Sequence, residues 1–223
     1  MSDDLEEGDN DSIKVILIGE MATGKTSLIN VYFGLNFRKM LDSTFSPSVS
    51  QKELKIGDKS YIIHMWDTAG QEKYRSMTKI FVKESQIVIF VYDVTDEYTF
   101  TELGYWVKTI EEILGKEPQL AVVGNKIDLF EKQVVSKERG KTYANQIGAM
   151  FCETSAKEDA KGFGGFVDNL VKEFLNKKGY FKNEGQKLTN AKVKKKIRSP
   201  LSYSFPFPFL FPFTYSPSNI NLS

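Results

Sequence analysis

Residues 13–33 read IKVILIGEMATGKTSLINVYF, an apolar run followed by a glycine-containing loop and then by a helical pattern. The run Lys14–Gly19 is apolar on both faces, which is typical of a strand buried between two layers of helices. Residues 19–26 fit G-x-x-x-x-G-K-[ST], a spacing in which glycines let successive backbone N–H groups point at phosphate oxygens. The helix that follows turns the positive end of its dipole toward the same place. The stretch therefore predicts a phosphate-binding loop between a first strand and a first helix.

The side chains of this loop indicate particular contacts with a nucleotide. Lys25 would reach the β- and γ-phosphates, and the Thr26 hydroxyl would ligate Mg²⁺. The alternative is an ordinary turn between a strand and a helix, but the motif stands between both of the elements that it requires. The predicted phosphate-binding residues are Gly19, Met21, Ala22, Thr23, Gly24, Lys25, Thr26 and Ser27.

Short apolar runs alternate with longer amphipathic ones along residues 51–178. Further strands are predicted at Gln51–Ile56, Ser60–Trp66, Ile87–Asp93, Leu120–Asn125 and Met150–Glu153. Helices are predicted at Lys25–Phe33, Tyr98–Leu114, Ser136–Ile147 and Gly162–Lys178. The first two of these strands flank a Gly-Asp-Lys turn and form an antiparallel hairpin. The alternation elsewhere predicts an α/β fold, a mostly parallel sheet with helices on both faces and a ligand beyond the carboxyl ends of the strands.

Composition limits the class of protein. The 223 residues carry 30 Lys+Arg against 29 Asp+Glu, so the net charge of +1 gives no reason to expect nucleic acid as a partner. Cys152 is the sole cysteine, so a reducing compartment is expected. The acidic start of the chain is unlike a secretory or mitochondrial leader. We therefore expect a cytoplasmic protein.

The two ends of the chain differ in charge from the middle. Residues 1–12 are acidic and predict a flexible arm, and residues 13–178 form the predicted domain. Residues 179–223 predict a flexible tail that is first basic and then rich in phenylalanine and proline. This tail could attach to an anionic membrane surface or be dispensable. Membrane association stays open, because the end of the tail has no cysteine to accept a prenyl group.

Three more loops follow predicted strands and carry a family resemblance. Residues 67–72 read DTAGQE, residues 125–128 read NKID and residues 154–157 read TSAK. Together with the phosphate loop, they resemble the signature loops of Ras-superfamily small GTPases over roughly Ile13 to Lys178. The phrases WDTAGQE and VYDVT are most similar to the Rab branch. The resemblance implies a Ras-like P-loop domain with a six-stranded sheet.

The chemistry of residues 125–128 favours guanine independently of the resemblance. Guanine presents its N1–H and 2-amino donors side by side, and the Asp128 carboxylate can accept from both, whereas adenine lacks them there. The resemblance adds that Asn125 contacts the O6/N7 side of the base, Lys126 lies over the ring and the Ala156 amide donates to O6. Ser155 and Lys157 complete the predicted base site. Each motif taken alone has a simpler alternative: NKID could be a solvated turn, and TSAK could be a helix N-cap sequence.

The resemblance also assigns residues around the γ-phosphate. Asp67 would hold Mg²⁺ through a water, and the Gly70 N–H would sense the γ-phosphate. Gln71 would orient the attacking water. Thr44 resembles the threonine that ligates Mg²⁺ only in the triphosphate state, and Phe37 resembles the aromatic that packs against guanine.

Several positions depart from the family pattern. Met21 stands where the family has a small residue beside the γ-phosphate, so its thioether could crowd the glutamine or an activator's arginine. Trp66 and Phe81 match two members of the aromatic effector patch of Rabs, and Val49 replaces the third. Both aromatics could also be ordinary half-buried packing residues. Cys152 is expected to be a small buried apolar residue.

The sequence thus predicts a GTP/GDP switch that needs Mg²⁺, hydrolyses GTP slowly through Gln71 and Lys25, and regulates vesicle trafficking at the cytosolic face of endomembranes. Its expected partners are a guanine nucleotide exchange factor, a GTPase-activating protein and effectors. A GTP-bound interaction scaffold with negligible hydrolysis is the alternative, motivated by Met21. A metabolic P-loop kinase ranks third, because no second substrate pocket or lid is apparent between Thr26 and Asp128.

Overall fold

The sheet predicted from the sequence is present in a computed structural model, which describes residues 12–37, 48–68 and 80–179. The strands are β1 Ser12–Ile18, β2 Ser48–Ile56, β3 Lys59–Asp67, β4 Ile87–Asp93, β5 Gln119–Asn125 and β6 Met150–Glu153. The helices are α1 Lys25–Tyr32, α2 Glu97–Thr101, α3 Leu103–Leu114, α4 Lys137–Gln146 and α5 Ala160–Lys178, with a 3-10 helix at Ile127–Lys132.

The strand order is β2-β3-β1-β4-β5-β6. Among the strands that the structure describes, only β2 and β3 pair antiparallel, as the hairpin predicted from the turn at Gly57, and the other neighbours pair in parallel. Parallel neighbours place their carboxyl ends at one edge of the sheet, and the loops that follow β1, β3, β5 and β6 leave from that edge. The predicted six-stranded, mostly parallel α/β fold is confirmed.

The alternation of side chains along β1 explains why both faces of the sheet are covered. Val15 and Leu17 point into one core, which contains residues of α1 and α5. Ile16 and Ile18 point into a second core, which contains residues of α3. Because successive strand side chains project to opposite faces, a strand with apolar residues on both faces needs helices on both sides.

The observed elements differ from the predicted ones mainly at their ends. The predicted helix at residues 98–114 is two helices, separated at Glu102. The Asp96 side chain caps the first of them by accepting from the Tyr98 N–H at 3.0 Å. The strand β2 begins three residues earlier than predicted, at Ser48, because its pairing with β3 continues as far as Asp67.

Several predictions concern residues outside the described ranges. Thr44, Gly70 and Gln71 lie there, as do residues 1–11 and 180–223 of the two predicted tails. The first strand begins at Ser12 and the last helix ends at Lys178; the domain boundaries themselves stay predictions. Within the described ranges, none of the helices combines the length and apolar character needed to cross a membrane.

Candidate functional site

The phosphate loop is shaped by contacts that leave little room for other residues. Gly24 has a φ of 93°, and a Cβ there would collide with the side-chain amide of Asn125. The buried Thr23 hydroxyl donates to the Glu20 carbonyl at 3.0 Å and closes the turn from within. Two further loop residues, Met21 and Ala22, are exposed to solvent. These contacts fix the curled backbone of the loop.

Lys25 begins helix α1 and is buried in the middle of this loop. Its Nζ donates to the carbonyls of Gly19 at 2.9 Å and Glu20 at 2.8 Å. Burial lowers the pKa of Lys25 to about 8, and the negative charges of Asp67 and Glu20 offset part of that effect. A buried ammonium that donates to two backbone carbonyls of the loop is positioned to bind an anion that enters it.

Two oxygen-bearing side chains meet beside Lys25. The Thr26 hydroxyl donates to Asp67 Oδ2 at 2.7 Å, which joins the start of α1 to the end of β3. The other carboxylate oxygen, Oδ1, is buried and has no hydrogen-bond partner in the part of the chain that the structure describes. Burial raises the pKa of Asp67. The hydrogen bond from Thr26 and the positive charge of Lys25 lower this pKa and offset part of the effect. An orphaned buried carboxylate oxygen next to a hydroxyl fits a hard cation such as Mg²⁺, which takes few protein oxygens and completes its shell with phosphates and water.

Asn125, at the end of β5, joins the phosphate loop to the loop after β6. It is 1% exposed. Its Nδ2 donates to the Thr23 carbonyl at 2.8 Å, and its Oδ1 accepts from the Ala156 N–H at 3.1 Å. A carboxamide is suited to this position because it carries a donor and an acceptor on one rigid group.

The predicted base-binding residues surround Asn125. Asp128 accepts from the Ser155 hydroxyl at 2.7 Å through Oδ1, and Lys157 Nζ lies 3.7 Å from Oδ2. The Ser155 hydroxyl in turn accepts from the Lys157 N–H at 3.1 Å, which closes the turn of this loop. Lys126 has a left-handed φ of 71° and pairs through Nζ with Asp93 at 2.6 Å. The structure thus brings Asn125 and its base-site neighbours together with the phosphate loop.

The remaining predicted residues lie at the margin of this group. Ser27, in α1, is half-buried, and Phe37 is exposed where the described part of the chain breaks off. The predicted packing of Phe37 against guanine stays a prediction. Thr44, Gly70 and Gln71 stay predictions as well, since they lie outside the described ranges.

Comparison with known proteins gives a consistent result. The family model described as Ras family matches residues 14–176. The chain is 41% identical over 162 residues to the Ras-related protein Rab-21 of Geodia cydonium, covering 73% of this chain and 70% of the relative. It is 40% identical over 164 residues to Rab-21 of Mus musculus, covering 74% and 73%. It is 39% identical over 150 residues to the Ras-related protein SEC4 of Saccharomyces cerevisiae, covering 67% and 69%.

The chain belongs to the Ras family of small GTPases, in its Rab branch. The resemblance read from the four loops is confirmed, and the metabolic kinase reading is set aside. As a member of this branch, the chain is a small GTPase switch of vesicle transport.

Sequence reasoning missed two side chains that act within the loops of this small GTPase. Glu20 lies inside the phosphate loop, yet it is buried and accepts from the Trp106 indole N–H of α3 at 3.1 Å. Asp93, at the end of β4, holds Lys126. An acidic residue within a phosphate loop, and another closing an apolar strand, are the signals that could have singled them out.

The two aromatic residues that match the effector patch of Rabs, Trp66 and Phe81, lie next to each other. The rings of Trp66 and Phe81 lie 6.0 Å apart and both residues are half-buried. Val49 stands opposite Trp66 in the β2–β3 register and is 45% exposed. Lys14 Nζ lies 4.5 Å from the centre of the Trp66 ring. Effector binding through this patch stays a prediction.

Proposed function

We propose that this Rab-type GTPase binds GTP and GDP with Mg²⁺ in the loops around Asn125 and hydrolyses GTP slowly. The observation that carries the proposal is the double hydrogen bond of Asn125, which fixes the phosphate loop against the loop of Ala156. A nucleotide must contact both loops at once, one with its phosphates and one with its base. Asn125 thereby holds the two loops in fixed positions relative to each other, and we expect this to lower the entropic cost of binding.

Guanine selectivity is assigned to Asp128. The Ser155 hydroxyl orients the Asp128 carboxylate by donating to Oδ1. The other oxygen, Oδ2, would then be shared between the Lys157 ammonium and a base. An ionised carboxylate only accepts hydrogen bonds, so it selects the base that presents two adjacent donors. The Ala156 amide and the Lys126 side chain complete the proposed contacts with the ring.

The phosphates and the cation are assigned to the residues around Lys25. Thr26 and, through a water, Asp67 would hold Mg²⁺, and Thr44 would join them in the triphosphate state. The cation supplies neutralisation of the charge that develops on the phosphate oxygens. Backbone N–H groups of the loop Gly19–Thr26 bind phosphate oxygens, and the Lys25 ammonium leaves the carbonyls of its own loop to contact the β- and γ-phosphates.

Hydrolysis is assigned to in-line attack by a water that Gln71 orients. Lys25 stabilises negative charge on the transferred group, which is the main contribution that a protein makes to phosphoryl transfer. Gly70 would contact the γ-phosphate through its N–H, so loss of that phosphate would release the loops that carry Thr44 and Gly70. Exchange factors, activating proteins and effectors would read this change at the cytosolic face of endomembranes.

The test is competition of GTP, ATP and xanthosine triphosphate for the purified full chain. The unmodified protein should prefer GTP, and Asp128→Asn should shift the preference toward xanthosine triphosphate, whose 2-oxo group accepts from an amide. Asp58→Asn, in the exposed hairpin turn, is the matched control and should leave the preference unchanged. Equal binding of ATP and GTP by the unmodified protein would reject the proposal.

A GTP-bound interaction scaffold with negligible hydrolysis is the second candidate. It is favoured by the side chain of Met21, which is 50% exposed on the phosphate loop rather than packed into the core. A thioether at that place would obstruct the glutamine or an activator's arginine.

A further inference from the structure

Asp93 is the last residue of β4 and lies beside residues 125–128, the loop that the proposed function assigns to guanine. The proposed function gives Asp93 itself no role. Its side chain is 10% exposed, and its Oδ2 lies 2.6 Å from Lys126 Nζ. Its Oδ1 accepts from both the N–H of Thr95, at 2.8 Å, and the Thr95 hydroxyl, at 2.7 Å. Each carboxylate oxygen thus has a defined partner, and the carboxylate cannot rotate without losing one of them.

The backbone of Asp93 is held as firmly as its side chain. Its N–H donates to the Thr99 hydroxyl at 3.0 Å, and it pairs with Asn125 in the register of β4 and β5. The N–H of the next residue, Val94, donates to the Asn125 carbonyl at 3.0 Å. Asp93 is therefore a rigid point directly beside the loop that begins at Asn125.

Lys126 is fixed at both ends. Its backbone is in the left-handed region, with a φ of 71°, and the following N–H, of Ile127, donates to the Thr154 carbonyl at 3.3 Å. Its ammonium is bound by Asp93. The apolar stem between these two points is consequently restricted, whereas an unpaired lysine stem has many rotamers to lose on binding.

We propose that Asp93 is a positioning residue for guanine-nucleotide binding, which acts by holding the Lys126 stem where it covers the base. The inference rests on the proposed function, since it needs a guanine base at this loop. A lysine that is already restricted loses less side-chain freedom when the nucleotide binds, and we expect the effect in the dissociation rate of the nucleotide.

A purely structural role is the competing explanation. The contacts of Asp93 with Thr95 also form an Asx-type turn that would stabilise the end of β4 whether or not Lys126 were present. The two explanations differ in whether loss of Asp93 matters once the ammonium of Lys126 is gone. A double-mutant cycle measures this difference directly.

The experiment follows release of a fluorescent GDP derivative from the full chain in the presence of Mg²⁺ and excess GDP. Asp93→Asn keeps the size of the side chain and loses its charge, and Lys126→Met keeps the apolar stem and loses the ammonium. Each should accelerate release about tenfold, the loss of one charge-assisted contact. The double variant should release no faster than about twice the faster single variant.

Two further variants serve as control and reserve. Glu97→Gln breaks the Arg139–Glu97 pair, which has a comparable 2.7 Å contact but half-exposed side chains, and should change release by less than about twofold. If Asp93→Asn does not fold, Thr95→Val removes one donor to the carboxylate. It should accelerate release about threefold, and only while Lys126 is present.

Two results would overturn the inference. One is unchanged release from Asp93→Asn, and the other is multiplication of the two single effects in the double variant. Absence of GDP binding by the unmodified chain would instead reject the proposed function, and the role of Asp93 with it.

Discussion

Replacing Asn125 by alanine removes the side chain that joins the phosphate loop to the loop of Ala156. The Thr23 carbonyl would lose a donor at 2.8 Å and the Ala156 N–H an acceptor at 3.1 Å. Both groups are buried, so water cannot readily replace the lost partner. Each unsatisfied buried group costs about 1–3 kcal/mol, and the two together about 2–6 kcal/mol.

The middle of that range corresponds to a measurable shift in thermal stability. For a domain of this size, each kcal/mol lowers the Tm by about 2–4 °C, so a loss of about 4 kcal/mol predicts a decrease of about 8–16 °C. Thermal unfolding of the GDP-bound full chain measures the decrease. The Kd for GDP is determined in parallel, because bound ligand adds RT ln(1 + [L]/Kd) to the free energy of unfolding.

The matched control is Gln133→Ala, which truncates a carboxamide that also donates to a backbone carbonyl, that of Val135, at 2.8 Å. Gln133 is exposed, so its loss should cost about 1 kcal/mol or less. If Asn125→Ala were no more destabilising than this control after correction for GDP affinity, the two loops would not depend on Asn125. The central observation behind the proposed function would then be wrong.

Two further predictions concern Met21 and Cys152. We expect intrinsic GTP hydrolysis at or below the order of 10⁻⁴ s⁻¹, and we expect Met21→Gly to raise activator-stimulated turnover more than it changes GDP affinity. Single-turnover phosphate release with and without an activator tests this, and unchanged stimulated turnover would mean that the thioether does not obstruct the site. Burial, with smaller effects of Asp159 and Glu153, raises the pKa of Cys152 to about 11, so alkylation at pH 8 should be about a hundredfold slower than for the unfolded chain. Because this pKa lies above the unfolded value of 9.0, the unfolded chain loses its proton first, and stability should fall as the pH rises from about 9 to 11. Alkylation of the folded and unfolded chains at similar rates would contradict the assignment.

Local pattern in the sequence was enough to determine the fold. Strand β4, predicted and observed at Ile87–Asp93, is buried at every position, and such a strand is stable only between two layers of helices. The hairpin was also predictable, because Gly57 marks its turn and alternation marks its strands. The four loop motifs were sufficient for the family, since each depends on residue types at a fixed spacing.

The tertiary structure alone decided which side chains support one another within the site. Asp93 and Lys126 are far apart in sequence, and only the parallel pairing of β4 with β5 brings them within 2.6 Å. The same holds for Glu20, which interacts with Trp106 of α3 inside the second core. Periodicity reports which face of an element is buried; it carries no information on which distant polar groups meet there, because that depends on strand order and register. Cys152, expected to be buried, is half-buried, because β6 is an edge strand of the sheet that the structure describes and pairs there with β5 on one side only.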